Sequence, residues 1–328
     1  MEPLVSQHRG WDVVRLTSPD LQVDVVPGKG GDITSIRHRT GVELLWQAPW
    51  GLRHKGSAGT AGDSAENLMD WYPGGWQTVF PNAGDAVTEH GAEWGMHGEA
   101  WLAPYDWESN GAGEIVLRTR LVRSPFEVTR RIRVVGERLT VTETTRNAGG
   151  EPVEAAWGHH AAFGAPFLGG SCRLETNAAT FLADDERDTS AGDLAVGARS
   201  SWPYAVTRDG TPVDLRDVPG METSVDRLGY LLDFDGQPYV ALTNVRLGLT
   251  ARMSWDASVM PYAWLWYEMH ASPGFPWYKG VYVLGVEPHS SHPGQGLHAI
   301  RAKTGTQLAY EAGQSRTATT TLDVTPVV

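Results

Sequence analysis

Ile115-Val116-Leu117-Arg118-Thr119-Arg120-Leu121, then Phe126-Glu127-Val128-Thr129-Arg130-Arg131-Ile132-Arg133-Val134-Val135, then Leu139-Thr140-Val141-Thr142-Glu143-Thr144-Thr145, alternate apolar and polar side chains. A period of two marks a strand with one face buried. Gly136-Glu137 separates the last two runs and reads as a hairpin turn. Three such strands in succession predict an antiparallel, half-buried sheet of the kind found in sandwiches. Outward from this centre the same signals recur. On the N-terminal side Val13-Val14-Arg15-Leu16, Leu21 to Val26 and Ile33-Thr34-Ser35-Ile36 read as strands. Pro27 to Gly31 is a turn rather than a phosphate loop, because no helix follows it. On the C-terminal side Tyr239 to Met253, Tyr262 to Glu268 and Thr317 to Val324 return to strand pattern. No segment keeps a helical period over a dozen residues, so the class is all-β. With no internal repeat and no linker, residues 1–328 are expected to form a single domain.

Composition excludes several function classes. A net charge of −12, from 27 Lys and Arg against 39 Asp and Glu, gives no footprint for nucleic acid or an anionic membrane surface. A lone cysteine, Cys172, leaves no disulfide framework or multi-cysteine metal site and fits a reducing compartment. The N-terminus lacks the features of a signal peptide, and no apolar run approaches the ~20 residues of a membrane span. A soluble, cytoplasmic protein is expected. The 14 tryptophans stand out. Many lie beside Gly, Pro or His, and a flat apolar face with one N–H donor suits the C–H faces of a sugar.

Four stretches carry candidate chemistry. Trp71 to Asp85 packs aromatics and turn formers too densely for regular structure and reads as a cleft wall, following the patternless stretch from Gly51 to Asp70. His97 stands next to Gly98, where backbone approaches a ligand closely. Val153 to Gly164 is a strand containing His159 and His160, which must point to opposite faces. Val281 to Val286 is a buried strand, and Glu287-Pro288 places a carboxylate at its expected mouth, where partial burial suits a general base. His289 and His292 lack the spacing of metal ligands.

The order of these features resembles the aldose 1-epimerases, or mutarotases. The match rests on Gly30 to Ile36 with Glu43-Leu44-Leu45, Gly74-Gly75 with Phe80 to Gly84, Met96 to Trp101, Arg146 to Gly150 through His160 to Phe163, and Gly285 to His289. The resemblance implies a β-supersandwich of large antiparallel sheets. It also implies interconversion of the α and β anomers of a sugar by acid/base ring opening, without metal, nucleotide or redox cofactor. By it His160 is the general acid, Glu287 the general base and His97 a substrate-orienting group. Trp76, Asn82, Glu99, Trp101, Asn244 and Trp266 are the expected substrate contacts.

The chain departs from the family's pattern at Asp85, where Arg is frequent, at Asn244, where Asp is frequent, and at Ala162, where an aromatic is expected. Arg37, Arg53 and Arg252 are candidates for meeting a phosphorylated sugar. The partner is thus a small-molecule sugar, acting on a monomer or homodimer. Two other readings stand beside this one. A non-catalytic carbohydrate-binding protein needs only the fold and the aromatic walls. A metal-dependent sugar isomerase would use His97, Glu99 and either His159 or His160.

Overall fold

A computed structural model describes residues 2–59, 61–111, 113–187, 189 and 191–327. The three opening runs are the strands Glu114–Arg120, Phe126–Val135 and Arg138–Asn147, paired antiparallel in sequence order with Val134 opposite Leu139 at the Gly136 turn. Phe126, Val128, Arg130, Ile132 and Val134 are buried while their neighbours are not, which is the physical origin of the alternation. These strands belong to an 8-stranded sheet ordered Cys172–Thr176, Tyr239–Asn244, Leu249–Trp255, Ser315–Pro326, Arg138–Asn147, Phe126–Val135, Glu114–Arg120, Asp106–Ser109. The alternating C-terminal stretch therefore closes this sheet from inside, between two earlier strands.

An 11-stranded antiparallel sheet packs against it. Its central strands run Asp32–His38, Trp76–Val79, Gly158–Gly164, Tyr282–His289, Tyr262–Met269, Val225–Phe234. Two of them carry the candidate chemistry: Gly158–Gly164 is the histidine strand and Tyr282–His289 the glutamate strand. Val23 and Ile36 of the larger sheet share one buried cluster with Leu117, Val128 and Ile132 of the smaller. Burying each such side chain contributes about 1.5–3 kcal/mol. The fold is an all-β sandwich of large antiparallel sheets, as expected.

Two local expectations change. Glu287 does not sit at a strand mouth: its strand continues through His289, and all its residues are buried. Pro288 is tolerated in mid-sheet because the ladder to the histidine strand bridges Gly158 with His289 and Ala161 with Val286, leaving 287 and 288 opposite 159 and 160 without a bridge. Helix is also present, in Ser64–Trp71 and Gly296–Lys303, each of 8 residues and too short to display a period over a dozen. The first is capped by Asp63, whose side chain accepts the Glu66 N–H at 2.9 Å. It ends the patternless Gly51 to Asp70 stretch. Among the described residues no helix is long and apolar enough to cross a membrane.

Candidate active site

Sheet register builds the site. His160 pairs with Gln77 of Trp76–Val79. The register joining Gly158 to His289 and Ala161 to Val286 sets His160 opposite Glu287, and Glu287 pairs in turn with Trp264, and Trp264 with Tyr230. Cross-strand partners share a face, so Gln77, His160, Glu287 and Trp264 form one row across four strands. His159 points the other way, into the layer between the sheets. There its Nδ1 accepts from Trp76 Nε1 at 3.0 Å and its Nε2 lies 3.4 Å from Glu143.

Small residues make room for the row. A Cβ on Gly285 would stand 2.6 Å from Glu287 Oε1, and one on Gly158 would stand 2.2 Å from His289 Nδ1. His289 stacks on Trp264 with ring centroids 3.9 Å apart. Glu287 is thereby held between two imidazoles, with Oε1 3.6 Å from His160 Nε2 and Oε2 3.7 Å from His289 Nε2. Oε2 has no hydrogen-bond partner among the described residues. Burial pushes the Glu287 carboxyl well above the usual carboxylate range. Burial, with His97 alongside, pushes His160 down to about 3.

His97 reaches the site from a loop. Its backbone is left-handed at φ +58°, and its Nδ1 accepts the Gly84 N–H at 3.2 Å. The proton of neutral His97 is therefore on Nε2. Burial lowers its pKa to about 4, and its ring lies 5.7 Å from that of His160. Tyr72 contacts the far side of His160, hydroxyl to Nδ1, at 3.3 Å.

His97, His160 and Glu287 line one cavity of about 460 Å³, within the usual range for small-molecule sites. Tyr72, Trp101, Trp264, Trp266 and Trp277 supply its aromatic walls, while Asp85, Asp184, Glu186, Arg187 and Gln295 make a polar end. Burial, with Glu186 and Asp184 nearby, raises the Asp85 pKa. A second cavity of about 640 Å³ shares Met69 and Trp277 with the first.

Residues 8–324 match the profile of a family described as Domain of unknown function (DUF4432). The chain belongs to the DUF4432 family. No match is found among curated proteins. Among solved structures, the galactose mutarotase related enzyme from Lactobacillus acidophilus is 16% identical at a TM-score of 0.67, over 96% of this chain and 98% of that one. A galactose mutarotase-like protein from Clostridium acetobutylicum is 14% identical at a TM-score of 0.66, over 99% and 98%. The Slr1438 protein from Synechocystis sp. PCC 6803 is 16% identical at a TM-score of 0.67, over 99% and 96%. At these identities the likeness establishes a galactose mutarotase-like fold for this DUF4432 chain.

Of the expected substrate contacts, Trp101 and Trp266 line the cavity. Trp101 is held by its Nε1, which donates to Gly98 O at 3.0 Å, and Trp266 packs on His160 at 5.4 Å. Four others lie elsewhere. Trp76 is fully buried on the inner face with His159. Asn82 is consumed by loop backbone, donating to Asp85 O at 2.7 Å and Gly95 O at 3.0 Å and accepting from Leu297 N at 2.9 Å. Glu99 accepts the N–H groups of Val122, Arg123 and Ser124, and among the described residues no three His, Cys, Asp or Glu side chains are grouped to hold a metal ion as the isomerase reading requires. Asn244 closes the turn after its strand, donating to Phe167 O at 2.6 Å and accepting from Leu247 N at 3.0 Å. Asn82, Glu99 and Asn244 each follow unpaired backbone groups, which must be satisfied when buried.

The arginines also differ from expectation. Arg53 lies in the second cavity, ion-paired with Asp70 at 2.8 Å. Arg37 is 3.9 Å from Glu43, and Arg252 stacks on Tyr239 at 3.5 Å, both away from the main cavity. Sequence reading missed Gln77 and the wall of Asp184, Arg187 and Gln295. Gln77 lies inside the Trp71 to Asp85 stretch read as a cleft wall, where nothing in the sequence singles it out, while Asp184 and Arg187 come from a polar region without a strand pattern and Gln295 from the loop after the glutamate strand.

These assignments separate in the laboratory. Glu99→Ala in this DUF4432 protein is expected to lower stability by about 1–2 kcal/mol and to leave any affinity of the cavity for added sugars unchanged, read by denaturant unfolding and tryptophan-fluorescence titration. A loss of affinity at unchanged stability would return Glu99 to the site.

Proposed function

We propose that this protein is a cofactor-independent aldose 1-epimerase. The observation that supports the reading is the His160–Glu287 pair, a largely buried imidazole and a buried carboxyl 3.6 Å apart in one aromatic-walled cavity with His97 beside them. Before sugar binds, burial favours the neutral forms, so the pair's single proton resides on Glu287. Sugar hydroxyls donating to Glu287 stabilise its carboxylate and move that proton to His160.

Glu287 then takes the proton of the anomeric O1 hydroxyl, and the O–H electron pair forms the C1=O1 bond. The C1–O5 bond breaks, its electron pair going to O5, which takes the proton from His160 Nε2. The Tyr72 hydroxyl lies 3.3 Å from Nδ1; in this reading its oxygen accepts Nδ1–H throughout, which keeps Nε2 as the exchanging nitrogen. Rotation about C1–C2 presents the other carbonyl face, and the same transfers in reverse close the ring. The pair begins and ends with one proton, so no outside acid or base is consumed. His97 offers Nε2–H to a substrate oxygen.

Proton NMR of freshly dissolved α-anomers of glucose, galactose and their 6-phosphates tests the reading. Acceleration of at least one sugar is expected. Binding without acceleration of any would instead favour a carbohydrate-binding protein. The pH profile is a further expectation. Lowered imidazole pKa values mean that the pair gains its second proton, on His160 at about 3, and that His97 beside it charges, at about 4, only well below 6.5. A raised carboxyl pKa means that the last proton leaves late. kcat/KM is therefore expected to stay level through pH 6.5 and to fall only as pH approaches about 4. An acid limb centred at the ordinary histidine value would sink the paired mechanism.

A further inference from the structure

Gln77 holds an unpaired, buried acceptor in the wall of the cavity. It is 3% exposed, lies in the cavity wall, and pairs with His160 in the sheet. Its Nε2 donates to Gly74 O at 2.7 Å and to Asp32 Oδ2 at 3.1 Å. Both partners accept only, so both amide hydrogens are committed and the orientation of the amide is set. Oε1 is left without a partner among the described residues. Behind the amide, Asp32 is ion-paired with the equally buried Lys29, whose ammonium lies 5.0 Å from the centre of the Trp101 ring. Buried carbonyl oxygens in native proteins are rarely left unpaired without a reason, and a bound donor is one.

The row order says which donor. Resting on the epimerase reading, Glu287 meets O1 and His160 meets O5. The next group along the row lies beyond O5, where a hexopyranose carries its exocyclic C6. Two strand spacings separate Gln77 from Glu287, about 9.6 Å. Less two hydrogen bonds of about 2.8 Å, this leaves the width of one pyranose ring.

We propose that Gln77 is a specificity-determining residue whose Oε1 accepts a hydrogen bond from the free 6-hydroxyl of a hexopyranose. A 6-phosphate, mostly dianionic at neutral pH, has no proton to donate there and sets its oxygens against a carbonyl oxygen. A 6-deoxy sugar leaves Oε1 buried and unpaired. The cavity's Arg187 does not favour a phosphate either, since it is ion-paired with Asp226 at 2.7 Å.

The test compares galactose and glucose with their 6-deoxy counterparts, by NMR anomeric relaxation, in wild type and Gln77→Met. Wild type is expected to prefer the 6-hydroxy sugars by about tenfold in kcat/KM, the worth of one hydrogen bond. The variant is expected to lose that preference through a higher KM for the 6-hydroxy sugars, with kcat little changed. A purely structural effect of the substitution lowers both sugars together and leaves the ratio intact, so a ratio that survives in the variant overturns the proposal. So does a wild type without preference, a result that stands even if the variant does not fold. If wild type accelerates no sugar, the epimerase reading fails separately. The same sugars are then titrated by tryptophan fluorescence: a tenfold affinity ratio abolished by Gln77→Met supports the acceptor role, and no binding or an unchanged ratio overturns it.

Discussion

Glu287→Gln is expected to slow anomeric relaxation by about 10²- to 10⁴-fold, the usual contribution of a positioned general base, without weakening sugar binding. The amide matches the carboxyl in size and in the neutral form that burial favours before sugar binds. It therefore fits between His160 and His289 without repacking. It cannot accept the O1 proton, so Kd survives while the chemistry stops. The same substitution removes an ionisable group that burial disfavours when charged, and stability is expected to hold or rise. Lost turnover at equal or greater stability is the signature of a residue kept for function. NMR relaxation beside thermal unfolding reads both quantities. A variant within a few-fold of wild-type rate would remove Glu287 from the reaction.

Arg130→Met is expected to cost about 3–5 kcal/mol, the loss seen when one partner of a buried ion pair is removed. Arg130 and Glu143 are both fully buried between the sheets, with Nε and Oε1 2.5 Å apart. Arg130 Nη1 also donates to the Gly30 and Gly31 carbonyls, at 3.1 and 2.7 Å, and so ties the 8-stranded sheet to the loop before Asp32–His38. Methionine would strand the Glu143 carboxylate and leave those carbonyls unpaired. The effect extends to the site, because Glu143 accepts the Thr78 hydroxyl and lies 3.4 Å from His159. Thr78 and His159 stand directly after Gln77 and directly before His160 on their strands. Denaturant unfolding of Arg130→Met and of the double variant Arg130→Met/Glu143→Met gives the measurement. The double variant is expected to recover part of the loss, since it removes the uncompensated charge. A single-variant cost below about 1 kcal/mol would show that this pair does not pin the sheets together.

Much of the fold was legible because burial acts on alternate residues. Phe126 to Val134 reads as a strand in sequence and is one in space, since the same side chains that repeat with period two fill the layer between the sheets. The short helices were illegible for the complementary reason, that two turns carry too few residues for a period to show. In the site, His97, His160 and Glu287 lie in one cavity although 190 positions separate the first from the last, by subtraction of 97 from 287. Asn82, Glu99 and Asn244 had equally suitable chemistry, yet their side chains bond to nearby backbone. Residue type alone does not distinguish a polar group facing a ligand from one facing its own loop.

The sequence by itself determined the all-β class, the approximate limits of the diagnostic strands and the opposite orientations of His159 and His160, because each follows from local alternation. Only the tertiary structure decided which histidine faces Glu287, that Gln77 joins them in one row, and that Pro288 sits in mid-sheet rather than at a strand end. The physical reason is register. Which residues become cross-strand neighbours depends on pairing between segments far apart in the chain, and one residue of slip turns every side chain to the other face.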